Sequence, residues 1–550
     1  MIVNGAEMPS SLALRIVAIG GGLLLLAAAC AGPGATESAD AGPPVAGGTL
    51  TYALDAEPDC LDPHASPQDI TAMINRGVLD SLIAEDANGG LHPWLADSWT
   101  VGADGHSVTF QLRTGVSFHD GTPFDAAAVK ANFDHIAAPA TRSYYAASLL
   151  GRYAGTDVLG PLAARVRFDG PVGGFLQAAS QTFLGMQSPK AISEAPEKLC
   201  AKPVGSGPFV FEAHQRQQSI ELRKNPGYTW GPAIEGHTGP AFLDRLVFRF
   251  LPDDSVRLGA LTSGQVDAIT NVPPVRSSVV RDNRALRLTT LDQPGMAYNL
   301  HLNVTRPPFD DERVRIAFQR VLDLDGIVSG VYFGQNKRAW SPLSPSTPGY
   351  DRETEGRWRF DPALANRLLD EAGWTGRDPD GNRVKDGTPL RVMWPLGQLG
   401  QREQRDILGQ GIQAEAKKAG FDVVRVPSPP GQYTAQRISG DYDINAMSWN
   451  RHDGAILRSS FGADALPPGG QNYARITDPG LDATVKSSLF ATDDAARNRS
   501  YTDIQKFVVD HAVIVPVYVP SYVVAAETTV HGIVSDAQAY PRFHKTWVSR

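Results

Sequence analysis

Apolar positions along this chain follow two rhythms that take turns. In Gly48–Leu54 and in Ser107–Leu112 every second residue is apolar, as with Val108, Phe110 and Leu112. Successive side chains of a strand point to opposite faces, so this period predicts half-buried strands. Leu243–Phe250, Asp422–Val426 and Tyr442–Trp449 read the same way, and Ala512–Val519 is an apolar strand. Elsewhere the apolar residues fall three and four apart, the spacing of one helix face. Thr71–Ile83 carries Ile74, Val78 and Leu82 on such a face. Further helices are predicted at Ala126–Ile136, Ser255–Ser263, Glu312–Leu322, Pro362–Glu371, Arg402–Ala419 and Asp493–Asp510. Asp125 and Asp361 stand where a carboxylate can accept the free N–H groups of a first turn, and Gly373 and Gly420 stand just past helix ends. No repeat of 20–50 residues is evident. The pattern is mixed α/β, with both local and returning strands.

Composition narrows the picture. The chain has 550 residues, room for about three domains. Its 41 prolines and 54 glycines are spread along the chain and suit many turns. The formal net charge is −8 and no Lys/Arg run stands out, so no nucleic-acid footprint is present. Near the N-terminus Arg15 precedes an apolar stretch, Ile16–Ala29, that ends at Cys30. A bilayer-spanning helix needs about 20 apolar residues, and this length fits the core of a secretory signal instead. Ala27, Ala28 and Ala29 directly before Cys30 resemble the lipobox of bacterial lipoproteins, whose cysteine is lipidated, although Leu26 lies one place further back than usual. A plain signal peptide with an incidental cysteine is the other reading. Residues 31–46 are Gly, Ala, Pro, Ser and acidic residues, a flexible tether that cannot bury a core. Cys60 and Cys200 allow one disulfide in an exported chain or two buried thiols.

The chain lacks HExxH, CxxC, a Walker loop and GxGxxG. Ser206 sits between Gly205 and Gly207, but the Gly-x-Ser-x-Gly elbow of a hydrolase is missing, and the segment reads as a tight backbone crossing. Twelve histidines are scattered without a close pair at metal-ligand spacing. No catalytic residue, cofactor or metal site is therefore expected. Asp378-Pro-Asp380-Gly-Asn382 superficially suggests a calcium loop. An EF-hand needs Gly where Arg383 stands and an acid where Pro389 stands, so a hairpin insertion is expected.

Several blocks, in order, resemble the peptide/nickel-binding class of bacterial solute-binding proteins, extracellular family 5. They are GTLTYALDAEPDCLDPH at Gly48–His64, LADSWTVGADGHSVTFQLRTGVSFHDGTPFDAAAVKANF at Leu95–Phe133, PVGSGPFVF at Pro203–Phe211 with LRKNPGY at Leu222–Tyr228, GALTSGQVD at Gly259–Asp267, FDDERVRIAFQRVL at Phe309–Leu322, FDPALANRLLDEAGW at Phe360–Trp374, and SWNRHD at Ser448–Asp453 with IVPVYVP at Ile514–Pro520. The FHDG block is the most specific. In that family the His119-Asp120 pair is a structural turn. The resemblance implies a two-lobed α/β fold of the periplasmic-binding-protein type (class II, three-domain peptide-binding form). After a signal peptide at 1–30 and the tether at 31–46, one lobe would take 47–75, 204–290 and 513–550 with a domain inserted at 76–203. The other lobe would be 291–512. Two hinge strands are expected near Leu291–Asn299 and Val515–Pro520, with the ligand enclosed between the lobes.

The same resemblance implies function. The expected protein is an extracytoplasmic solute-binding lipoprotein of an ABC importer, held by a lipid on Cys30 at the outer face of the cytoplasmic membrane. It would act as a monomer, not an enzyme, and hand a peptide or peptide-like solute to permease and ATPase subunits. A nickel chelate, a glycoside or an opine-like compound is the alternative ligand, with His452 the local candidate for a nickel reader. An exported hydrolase is disfavoured for want of a motif. Candidate ligand-binding residues are Ser448, Trp449, Asn450, Arg451, Asp453, Trp340 and Tyr298. In peptide-binding relatives an Asp near this strand end pairs with the ligand's α-amino group, and a buried ammonium does need such a partner. The family's spacing from Trp to Asp is one residue shorter than that from Trp449 to Asp453, and Asp453 also suits a cap for Ala455–Phe461. Both readings stand. Arg451 and Arg458 could meet a ligand carboxylate or surface acids, and Trp340 could stack on a ligand or lie in the core.

Overall fold

Strand Thr49–Leu54 pairs in parallel with Arg245–Phe250 on one side and with Ala268–Thr270 on the other. The two parallel partners lie far along the chain, because parallel neighbours need a long crossover. In the computed structural model, which describes residues 42–397, 403–490 and 494–549, these strands are the centre of a seven-stranded sheet. Its order is Leu286–Asp292, Ser521–Glu527, Ala268–Thr270, Thr49–Leu54, Arg245–Phe250, Ser219–Lys224, Phe209–Gln215. The signal segment, Cys30 and most of the tether lie outside the described residues.

The crossover after the first strand carries a four-stranded antiparallel sheet, ordered Ala96–Val101, Ser107–Leu112, Ala163–Phe168, Tyr153–Gly160. The alternation of Val108, Phe110 and Leu112 places all three in the core. Helix Ala126–Ala137 begins where expected, with the Asp125 carboxylate accepting from Ala128 N. A first core, including Leu50, Tyr52, Phe110, Phe133 and Phe248, runs through both sheets.

A second core forms around another four-stranded sheet, ordered Lys337–Arg338, Ile514–Val519, Gly295–Leu302, Ile444–Asn450. Its two central strands are buried along their whole length, consistent with the unbroken apolar run IVPVYV. The chain passes between the two large sheets twice, from Asp292 to Gly295 and from Val519 to Ser521. Gln293 N donates to Pro520 O at 2.8 Å, so the two passages are tied together.

The helix expected at Thr71–Ile83 stops early, at Asn75. Gly207 N donates to Val78 O and Phe209 N to Gly77 O, so tertiary hydrogen bonds take this backbone out of the helix. Ile83 instead opens a short strand, Ile83–Glu85. The crossing at Gly205 is as tight as its sequence suggested: a Cβ there would lie 2.0 Å from Val78 O. The segment Asp378–Asn382 is a hairpin turn between Gly376–Arg377 and Arg383–Lys385, closed by the Asp378 carboxylate on Asn382 N. Cys60 and Cys200 form a disulfide. The helix predicted at Arg402–Ala419 is described from Arg405 to Lys418, and that at Asp493–Asp510 from Asp494.

Candidate functional site

Strand Ile444–Asn450 is an edge of the second sheet and pairs with Gly295–Leu302. Its C-terminal end comes very close to its neighbour, since a Cβ on Gly295 would lie 2.3 Å from Trp449 O. Only glycine suits that place, where φ is also +97°. Trp449 then packs against both cores.

The residues around Trp449 meet polar groups from the first core one after another. Tyr145 sets its ring edge-on to Trp449, with centroids 5.7 Å apart, and its hydroxyl donates to Asn450 O at 3.1 Å. Asn450 Nδ2 donates to Gln538 O at 2.9 Å. His452 Nδ1 is 2.8 Å from Glu85 Oε1, and both side chains are buried. Ser180 Oγ donates to the other Glu85 oxygen at 3.0 Å. Burial pushes the Glu85 carboxyl up, and the hydrogen bond from His452 opposes this only in part.

Charge is concentrated next to this line. Arg451 Nε donates to Asp453 Oδ2 at 2.6 Å. Burial pulls the Arg451 guanidinium down, but Asp453 more than restores it, and the net shift is upward. Asp453 Oδ1 accepts from Ala455 N at 2.8 Å. The N-cap position of helix Ile456–Phe461 belongs to Ala455, so Asp453 pins the turn ahead of the helix. Gly174, from the first core, borders the pair: a Cβ on it would lie 3.3 Å from Arg451 Nη2 and 3.7 Å from Asp453 Oδ2. Arg458 pairs with Asp464 at 2.8 Å at the surface.

Ser448 belongs to a second cluster built on Arg405. That guanidinium donates to Ser448 Oγ at 2.7 Å, to Tyr518 Oη at 2.8 Å and to Glu403 Oε2 at 2.9 Å. It also lies over the ring of Tyr298, 4.4 Å from its centroid. Despite burial, Glu403 and Tyr518 hold the Arg405 guanidinium above its usual range.

Six of the seven expected residues therefore gather along one strand end, Ser448 and Tyr298 through Arg405. Trp340 does not join them. It is half-buried against the second core, stacked by Arg338 at 4.1 Å and set edge-on to Trp358 at 5.8 Å. Sequence reasoning missed Glu85, Tyr145, Gln538, Glu403 and Arg405. Glu85 offered one faint signal, an acid closing the apolar run Leu82-Ile83-Ala84.

Comparison with known proteins bears on this arrangement. The chain is 27% identical to the glutathione-binding protein GsiB of Pectobacterium atrosepticum over 481 residues, which cover 86% of this chain and 88% of that relative. The structure of NikA from Brucella suis in complex with Fe(III)-EDTA superposes with a TM-score of 0.80 at 25% identity, covering 91% of this chain and all of that one. DppA from Helicobacter pylori in complex with peptide STSA gives a TM-score of 0.75 at 23% identity, over 92% of this chain and 99% of that one. The architecture is thus a periplasmic-binding-protein fold of the peptide-binding type. Residues 90–455 match the family model described as bacterial extracellular solute-binding proteins, family 5 (middle). Two cores joined by two passages, a Trp-bearing strand end between them and this match together place the chain in the bacterial extracellular solute-binding proteins, family 5.

Proposed function

We propose that this chain is the solute-capturing subunit of an ABC importer, binding a peptide or peptide-like solute between its two cores and releasing it unchanged to a permease. One observation carries the reading. Polar groups of both cores converge on Trp449–Asp453, where Tyr145, Glu85 and Gln538 face Asn450 and His452. A solute entering there meets hydrogen-bonding groups on both sides only when the cores approach each other, so binding and closure are one equilibrium. The named ligands of the relatives, glutathione for GsiB and a tetrapeptide for DppA, support a peptide-like solute. The passages at 293–294 and 520 serve as the hinge. The lobes are 291–512 on one side and the flanking segments, with the 76–203 insertion, on the other. Lipidation of Cys30 holds the monomer at the outer face of the membrane. Among the described residues no helix is long and apolar enough to cross a bilayer.

Asp453 and Arg451 form the ligand's charge clamp in this reading. A free ammonium displaces Arg451 from Asp453, and the released guanidinium takes a carboxylate, so one buried ion pair becomes two. Native mass spectrometry of the untagged protein should show a co-purified zwitterionic solute with intact mass. Isothermal titration with that solute should then show at least a tenfold loss of affinity in Asp453→Asn, whose fold is checked by circular dichroism. Unchanged affinity sinks the clamp. Recovery of a nickel chelate, an opine or a sugar replaces the peptide reading, and hydrolysis of the solute refutes the binding role.

A further inference from the structure

Away from the strand end, within the first core, Asp62, His64 and His135 each bring one ligating atom within 4.8 Å of the others. We propose that these three side chains form a buried site for a divalent transition metal of the zinc class.

The convergence of these three buried or half-buried groups carries the argument, and their hydrogen bonds orient them. His64 Nε2 lies 2.9 Å from Gly185 O, and a carbonyl can only accept, so the proton of neutral His64 is on Nε2 and Nδ1 is a lone pair, which the Gln187 Nε2 amide faces at 3.3 Å. Thr141 gives its single hydroxyl proton to His135 O, so Thr141 Oγ1 accepts from His135 Nδ1 at 3.2 Å. In the tautomer with that proton on Nδ1, the His135 Nε2 lone pair faces Asp62 Oδ2, 3.3 Å away. Gln187 Oε1 is buried as well and has no hydrogen-bond partner. Gln187 Nε2 serves Asp62 Oδ1 and faces His64 Nδ1, so the acceptors left without a matching proton in this arrangement are Asp62 Oδ2, His135 Nε2 and Gln187 Oε1, and a cation would serve them.

Distance points the same way. A charge-assisted N–H···O bond closes to about 2.7–2.9 Å. Metal bonds of about 2.0–2.1 Å at the tetrahedral angle set neighbouring ligand atoms about 3.3 Å apart, which is the separation of Asp62 Oδ2 and His135 Nε2. The outer contacts also suit a metal site. Each histidine spends its other N–H on an oxygen, Gly185 O or Thr141 Oγ1, which fixes tautomer and ring orientation. Asp62 Oδ1 is held by His64 N at 2.9 Å and Gln187 Nε2 at 2.7 Å, leaving Oδ2 toward His135. Two imidazoles and one carboxylate select zinc, cobalt or nickel over calcium or magnesium, which prefer all-oxygen sites. The ion would tie the turn after the first strand to helix Ala126–Ala137 and to the segment at Gly185–Gln187. It is independent of the solute-binding role.

The test uses the untagged, exported chain, stripped with a chelator and titrated with Co²⁺ and Zn²⁺ alone. One Co²⁺ per chain is expected, with the visible d–d bands of a four-coordinate site and no thiolate charge-transfer band. His64→Gln and His135→Gln should abolish those bands. Thr141→Ala, which leaves the ligands in place, should weaken binding at least tenfold, and His452→Gln should leave the spectrum unchanged. If the histidine variants do not fold, X-ray absorption of the zinc-loaded wild type decides, with scattering from two imidazoles expected. Absence of stoichiometric binding overturns the proposal. So does a shell without imidazole, a spectrum lost in His452→Gln but kept in His135→Gln, or metal-independent protonation of both His135 nitrogens by NMR.

Discussion

His301 sits in the buried strand Gly295–Leu302, stacked on Phe461, and neither ring nitrogen has a hydrogen-bond partner. Burial, reinforced by Arg437, pushes its pKa down to about 3. An unfolded histidine titrates near 6.5. As pH falls below that value the unfolded chain takes up a proton that the folded chain refuses until about 3. The stability contributed by neutral His301 is therefore complete above about pH 6.5 and is lost progressively toward pH 3. At pH 5 the loss is about 2 kcal/mol. Burial also pushes His119 down, to about 4, so it adds to the acid response. In His301→Leu, thermal melts at about pH 7.5 and about pH 5 should differ less than in the wild type. Equal acid losses in the two proteins would remove His301 from the explanation.

Among the elements, the disulfide does most to limit the unfolded chain. It joins Cys60, at the turn before helix Asp69–Asn75, to Cys200, after the 3-10 turn Pro196–Lys198, across 140 residues. Leu61 N donates to Cys200 O at 2.8 Å beside it. Closing a loop of that size removes about 5 kcal/mol of denatured-state entropy in the chain-entropy model. The double variant Cys60→Ser/Cys200→Ser should thus unfold at clearly lower denaturant, read by tryptophan fluorescence. A midpoint within error of the oxidised wild type would show that the insertion is held by packing alone.

For the whole molecule, the proposed function makes the equilibrium between closed and open cores the relevant quantity. The contacts made by His452, Asn450 and Tyr145 tie the two cores together. If the two passages act as a hinge, His452→Ala should raise the radius of gyration in small-angle scattering, because Glu85 then loses its tie to His452 and keeps only Ser180. Saturating solute should return it toward the wild-type value, and should raise the melting temperature by linkage, about 2.7 kcal/mol at a hundredfold excess over Kd. A radius unchanged in both conditions would mean that the cores do not move apart.

The chain's own residue order was enough for the strands, most helices and the family. Alternation at Ser107–Leu112, the Asp125 cap and the Gly205–Gly207 crossing are local properties, and local physics fixes them. Five of the seven proposed residues are neighbours within Ser448–Asp453, so their proximity is local too, whereas Tyr298 reaches them only through Arg405. The early stop at Asn75 was not legible, because hydrogen bonds from Gly207 and Phe209 compete with the helix. The surroundings of Trp340 were not legible from sequence, since Trp358 and the Arg338 guanidinium meet it only in three dimensions. The pairing of Glu85 with His452 joins residues 367 positions apart. His64 and His135 lie on different segments, so no spacing rule could bring them together with Asp62. Local order determines which elements form, while a site between elements depends on side-chain atoms that only packing brings within a few ångströms.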